Sequence, residues 1–203
     1  MNLRLSTISD AQLLLEWRND ELTRLNSFNS EIVSLEDHLN WFQKSLSSPN
    51  REIYIAEIKG FPIGTIRVDI NEDSSKELSW TISPSQRGKG YGSLILNTFL
   101  SLYPSTYTAQ IKEENTPSVK MVKKNGFTLL SKEGSNLTFI KKLSDLEIID
   151  AVEAVRTKNN KNWMDILRVA FRHAPEEARP ILAEINKSDG EISRLLDQLA
   201  NNK

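Results

Sequence analysis

The spacing of apolar residues along this chain changes several times, and each change marks an element. Residues 3–8 alternate apolar and polar, which predicts a short strand. Ser9 with Gln12 reads as a capping box, and Leu13, Leu14 and Trp17 then form a helical stripe ending near Asp20. A second helix is predicted over residues 34–46, capped by Ser34, with Leu35, His38, Leu39 and Phe42 on one face. Residues 53–58 and 63–70 read as strands joined at Lys59-Gly60, and residues 77–82 as a third. Beyond Ser83-Pro84-Ser85 comes a glycine-rich turn, then an apolar helix over 94–102 and a strand over 106–111. Thr116-Pro117-Ser118 opens a helix that Asn125-Gly126 closes. Residues 127–130 and 137–140 pair around Glu133-Gly134. The order predicts one α/β unit with a sheet of mixed direction over residues 1–143.

After Leu143 the pattern is helical alone. Ser144 with Glu147 makes another capping box, and Ile148, Val152 and Val155 recur at helical spacing. Further short helices are expected around 163–171, 176–185 and 192–199. Residues 144–203 are therefore expected to be a small all-α extension that packs on the first unit, makes a homo-oligomer or docks a pathway partner.

Composition narrows the function classes. The chain has 203 residues, 38% hydrophobic and 26% charged, as globular domains do. A net charge of -1 argues against a general nucleic-acid binder. With no cysteine there is no disulfide, no thiolate metal site and no cysteine nucleophile. His38 and His173 lack ligand-spaced companions, so no metal is expected. Residues 1–15 include Arg4 and Asp10 and no apolar core, unlike a signal peptide, and no stretch has the roughly 18 apolar residues of a membrane helix. A cytoplasmic protein with no membrane partner is expected.

The turn Gln86-Arg87-Gly88-Lys89-Gly90-Tyr91-Gly92-Ser93 carries the chemistry. Glycines let backbone approach a ligand closely, the amides at the following helix N-terminus favour an anion, and Arg87 and Lys89 add positive charge. No Gly-Lys-Ser or Gly-Lys-Thr occurs, which excludes a Walker loop. The glycine spacing and the lack of an acidic residue closing the next strand argue against a dinucleotide fingerprint. What remains is R/Q-x-x-G-x-G/A, matched by Arg87, Gly90 and Gly92.

On these residues, with Asn125-Gly126-Phe127, the sequence resembles the GNAT superfamily of acyl-CoA N-acyltransferases over roughly residues 2–142. The resemblance implies a mostly antiparallel mixed sheet flanked by helices, with acetyl-CoA as cosubstrate entering between the strand before the loop and the strand after it. It further implies that Arg87, Gly88, Lys89, Gly90, Tyr91, Gly92 and Ser93 hold the pyrophosphate, that Asn115 and Ser118 lie beside the pantetheine arm, and that backbone near Trp80, Thr81 and Ile82 aligns the acetyl group. An amine would attack the thioester directly once a base had removed a proton. Glu77 and His38 are the candidates, against a solvated edge charge for the first and a packing role for the second. One departure concerns the tyrosine that many relatives place seven residues after the asparagine; here that position is Val122.

The acceptor is read from the N-terminal half. Trp17-Arg18-Asn19, Arg24 and His38-x-x-Trp41 resemble a subgroup that includes nucleotide-sugar N-acetyltransferases, such as the UDP-4-amino-sugar enzyme of pseudaminic-acid biosynthesis, and ribosomal-protein N-terminal acetyltransferases. Arg18 or Arg24 could pair with a diphosphate, while Trp17, Trp41 or His38 stack on a base or sugar, unless the tryptophans only fill the helix–sheet interface. A nucleotide-linked amino sugar is the expected acceptor and a protein N-terminus the alternative. A non-catalytic acyl-CoA-binding module is a third reading.

Overall fold

The computed structural model describes residues 1–151 and 172–201. It divides into two compact units, Met1–Lys142 and Leu143–Lys203. In the first, seven strands form one sheet in the order β1-β2-β3-β4-β5-β7-β6. They are β1 (Asn2–Leu5), β2 (Arg51–Ile58), β3 (Phe61–Ile70), β4 (Lys76–Ile82), β5 (Tyr107–Lys112), β6 (Thr128–Glu133) and β7 (Asn136–Lys141). Every neighbouring pair is antiparallel except β4 and β5. Those two run parallel and pair only at Lys76–Tyr107 and Glu77–Thr108. Beyond Glu77 they part.

Helices cover both faces, as strand alternation requires. Tyr54 and Ala56 on β2 point into the larger core, with Ile66, Val68, Leu78 and Phe139 from the sheet. Ile95, Leu96 and Phe99 of α4 (Tyr91–Leu102) and Val122 of α5 (Thr116–Lys124) close it. Their neighbour Ile53 faces the other way and meets Ala11 of α1 (Ala11–Asn19) and Phe42 of α3 (Leu35–Leu46). Burying side chains such as Phe42 and Phe99 contributes about 1.5–3 kcal/mol each, so both faces are firmly held.

Local differences from the sequence expectation have clear causes. β1 ends at Leu5, because Thr7 starts a capping box with Asp10 on a 3-10 turn rather than Ser9 with Gln12. Arg4 fixes that carboxylate through two hydrogen bonds, 2.7 and 2.8 Å. An unforeseen helix, α2 (Glu21–Asn26), follows α1 directly; Asp20 caps it by accepting from Thr23 N. Its six residues are too few for a periodic stripe to stand out.

In the second unit, Ser144 and Glu147 cap each other and residues 145–151 are helical. The expected helices at 176–185 and 192–199 are one, Pro175–Ala200, which continues through Pro180 and Gly190. A single helical glycine costs only about 1 kcal/mol, and Leu195 is buried with Leu143 and Ile148, beside Ile192 and Leu199. The helix expected at 163–171 lies outside the described residues. No helix among the described residues is long and apolar enough to cross a membrane.

Candidate active site

The divergence of β4 and β5 leaves one edge of β4 unpaired. Ser83 N donates back to Ile63 O on the β3 side at 3.0 Å, while Lys76 O accepts from Thr108 Oγ1 on the β5 side at 3.3 Å. Alternation then turns the peptide groups of Trp80 and Ile82 toward the gap. The Trp80 indole crosses to α5 and donates to Ser118 Oγ at 3.3 Å. Asn115 caps α5, its Oδ1 accepting from Ser118 N at 3.3 Å.

The glycine-rich turn stands between β4 and α4. Gly88 (φ 74°) and Gly90 (φ 81°) both take left-handed backbone, and a Cβ on either would meet open space. The first amides of α4, from Tyr91 on, have no carbonyl one turn earlier within the helix to bond. Amides opening a helix, with room before them, fit a pyrophosphate. Gly92 has a different reason to be small: a Cβ there would lie 2.8 Å from Met121 Sδ, so it lets α4 pack on α5. Tyr91 packs against the core, and Ser93 Oγ accepts from Asn125 Nδ2 at 3.1 Å. Lys89 Nζ donates to Gln86 at 3.0 Å.

Arg87 is engaged elsewhere. Its Nη2 lies 2.5 Å from Asp20 Oδ1 and donates to Thr23 Oγ1 at 2.7 Å. Across the gap, Lys112 Nζ on β5 donates to Leu25 O at 2.9 Å. The short α2 is thus fastened to both walls of the parting strands. Arg87 draws Asp20 below the usual carboxylate range, Thr23 adding to the effect. Asn19 holds the far end of the segment, donating to Val33 O at 2.8 Å and accepting from Val33 N at 2.9 Å.

A cleft of ≈ 540 Å³ opens on the α1–α3 side of β3 and β4. Trp17, Arg18, His38 and Trp41 line it, as do Trp80 and Thr81. Trp17 is buried, whereas Trp41 is half exposed at the rim, with Arg51 5.8 Å above its ring. His38 is 3% exposed and stacks on Phe42 at 5.7 Å. Burial lowers the His38 pKa below the ordinary imidazole value; an Ala11 backbone hydrogen bond opposes this and Arg18 adds to it. His38 Nε2 has no hydrogen-bond partner. Arg18 donates to Asn29 O at 2.8 Å, leaving its buried Nη1 unpartnered.

Other expected residues stand apart from the cleft. Arg24 spends its guanidinium on Asn19 O and Ser30 O, at 3.2 and 3.1 Å. Glu77 sits where β4 and β5 still pair, and accepts from Gln110 Nε2 at 3.1 Å. Val122 is fully buried, so the tyrosine position is apolar core. Tyr107 gives its hydroxyl to Tyr103 O at 2.8 Å, and burial raises its pKa, so it offers no proton to the cleft. Sequence reasoning missed Asp20, Thr65, Arg67 and Ser79. The polar-apolar alternation Thr65-Ile66-Arg67-Val68-Asp69 was the available signal for two of them.

A sequence model of the acetyltransferase (GNAT) domain matches residues 1–128. The chain belongs to the GNAT acetyltransferase family. Its GNAT unit has the family's mixed sheet, and the protein is an acetyl-CoA-dependent N-acetyltransferase. No curated protein sequence matches. Among solved structures, ribosomal-protein-alanine N-acetyltransferase from Brucella melitensis superposes with TM-score 0.59 at 22% identity, over 70% of this chain and 100% of that one. Spermidine N-acetyltransferase from Vibrio cholerae, solved with CoA and spermine, gives TM-score 0.60 at 17% identity over 68% and 92%. The aminoglycoside acetyltransferase AAC(6')-Ib with ribostamycin and coenzyme A gives 0.62 at 19% over 70% and 92%. These identities speak to the shared fold. Among the described residues no group of three or more histidine, cysteine or acidic side chains is placed to hold a metal ion.

Proposed function

We propose that this GNAT enzyme acetylates the amino group of a nucleotide-linked amino sugar, by direct attack in a ternary complex. The carrying observation is the cleft beside β4, where aromatic Trp17, His38 and Trp41 stand with Arg18, a half-buried cation without a carboxylate partner among the described residues. Aromatic faces suit a sugar or base, and a guanidinium suits a diphosphate. Spermidine and aminoglycosides, the acceptors named for two structural neighbours, are polycations that such an arginine would repel.

Acetyl-CoA supplies the electrophilic thioester. The loop amides from Arg87 to Ser93, with Lys89, hold its pyrophosphate, and Asn115 and Ser118 flank its arm. Peptide N–H groups of Trp80 and Ile82 on the open edge of β4 polarise the acetyl carbonyl. His38 Nε2, neutral and unpartnered, removes the amine proton. Glu77 is the alternative base, reached through water. With Val122 in the tyrosine's place, the thiolate takes its proton from solvent.

The test is release of free CoA with a UDP-4-amino-4,6-dideoxy sugar against N-terminal peptides. Turnover with the sugar nucleotide supports the reading. Turnover confined to peptides replaces it with N-terminal acetylation, and CoA binding without thiol release from any amine would mark a non-catalytic module.

A further inference from the structure

Two arginines line the acceptor cleft. Arg18 comes from α1 and has its buried Nη1 unpartnered. Arg67 comes from the floor, on β3 directly opposite Ser79 of β4. Its Nε lies 2.8 Å from Asp69 Oδ2, but outside hydrogen-bond alignment. Asp69 is already claimed by Arg51, 2.5 Å from its other oxygen. One carboxylate therefore answers two guanidinium groups, and one of the two, Arg67, lines the cleft.

Glu31 and Asp37 also border this space, and their positions decide how much they count. Both are exposed, and Asp37 accepts from Ser34 Oγ at 2.7 Å. Carboxylates in water attract a cation weakly, while charges on a half-buried floor are screened far less. Arg18 and Arg67 are therefore the less screened of the charges that line the cleft.

We infer that Arg18 and Arg67 together form a subsite for an anionic group, a phosphate or carboxylate, that the acceptor carries beside its amine. Arg67 is then a specificity-determining residue. Across a β3–β4 pair, side-chain origins lie about 5 Å apart, so Arg67 rises from the strand next to β4, the strand proposed to align the acetyl group. This deepens the amino-sugar reading, and rests on it only for placing the acceptor in this cleft. A nucleotide diphosphate and an acidic amine of other origin share the required chemistry.

The experiment measures kcat/KM for acceptors matched in amine and differing in charge. One pair is the UDP-4-amino sugar and the same sugar without UDP; the other is an N-terminal peptide with glutamate, or with lysine, at its second position. The anionic member should win by roughly tenfold or more, as charge-assisted hydrogen bonds allow. R67Q should collapse that ratio toward one, R67K should retain part of it, and added salt should shrink it in the wild type. A merely structural role for Arg67 would lower both members equally; an unchanged ratio in R67Q overturns the inference, as does a wild-type preference for neutral or cationic amines. CoA binding reports that R67Q has folded. Should it fail to fold, R67K reads the same ratio: a fall supports the subsite and no change overturns it. If the sugar nucleotide is not turned over but the acidic peptide is preferred and R67Q erases the preference, the amino-sugar reading fails and the subsite stands.

Discussion

At the scale of single residues, burial assigns roles that residue type leaves open. His38 can be read from sequence as a base or as packing, and the structure gives it attributes of both: it stacks on Phe42 while one nitrogen stays without a partner. If it is the base, H38Q should lower kcat by about 100-fold while leaving CoA affinity within error by calorimetry. Its neutral form is the working one and its pKa is depressed by burial, so the acid limb of the rate should fall below the ordinary imidazole value near 6.5. The same depression bears on stability. Below about pH 6.5 the unfolded chain binds a proton that the folded imidazole resists, so stability is full above that pH and lost on acidification; the urea midpoint of wild type should fall more steeply than that of H38Q as the pH drops below about 6.5. Gly90 gives a second residue-level test. Its left-handed φ of 81° suits no β-branched side chain, so G90V should abolish CoA binding measured by calorimetry.

At the scale of elements, periodicity showed most of the sheet and the longer helices packed on it, while the helix Pro175–Ala200 read as two. Ser34 caps α3, and Asn115 and Gly126 bracket α5, because caps are local chemistry. What stayed hidden depended on distant partners. Nothing near Arg87 in sequence says that its guanidinium meets Asp20 and Thr23, 67 and 64 positions earlier. Likewise Arg24 looks like an acceptor ligand until its contacts to Asn19 O and Ser30 O are known. The α2 segment that these contacts hold touches the cofactor turn at one end and the acceptor cleft through Asn29 and Val33 at the other. Asp20 should therefore act on cofactor affinity through Arg87. D20A should raise the KM for acetyl-CoA several-fold with a smaller change in kcat, and D20N, which keeps an acceptor oxygen, should recover part of the loss. An equal fall in kcat and in cofactor affinity would point instead to general loosening.

At the scale of the whole molecule, the chain carries two units with unlike constructions. The sheet unit contains the loop, the splayed strands and the cleft, and we propose that residues 144–203 serve association rather than chemistry. A chain ending at Leu143 should keep acetyl transfer, and its elution volume in gel filtration should change beyond the loss of mass. Loss of turnover in a folded truncation would give the extension a catalytic part.

The parting of β4 and β5 has a mechanical consequence. Two backbone rungs join the four-strand half β1-β2-β3-β4 to the three-strand half β5-β7-β6. A sheet with so thin a seam depends on its helices and on whatever fills the gap to act as one body. Acetyl-CoA lying there would supply the missing rungs and become part of the wall it is bound to. Amide exchange along β5 and on the open edge of β4 should slow when the cofactor is added, more than in β1 or β2. At a hundredfold excess over Kd the gain is about 2.7 kcal/mol, visible as a rise in Tm.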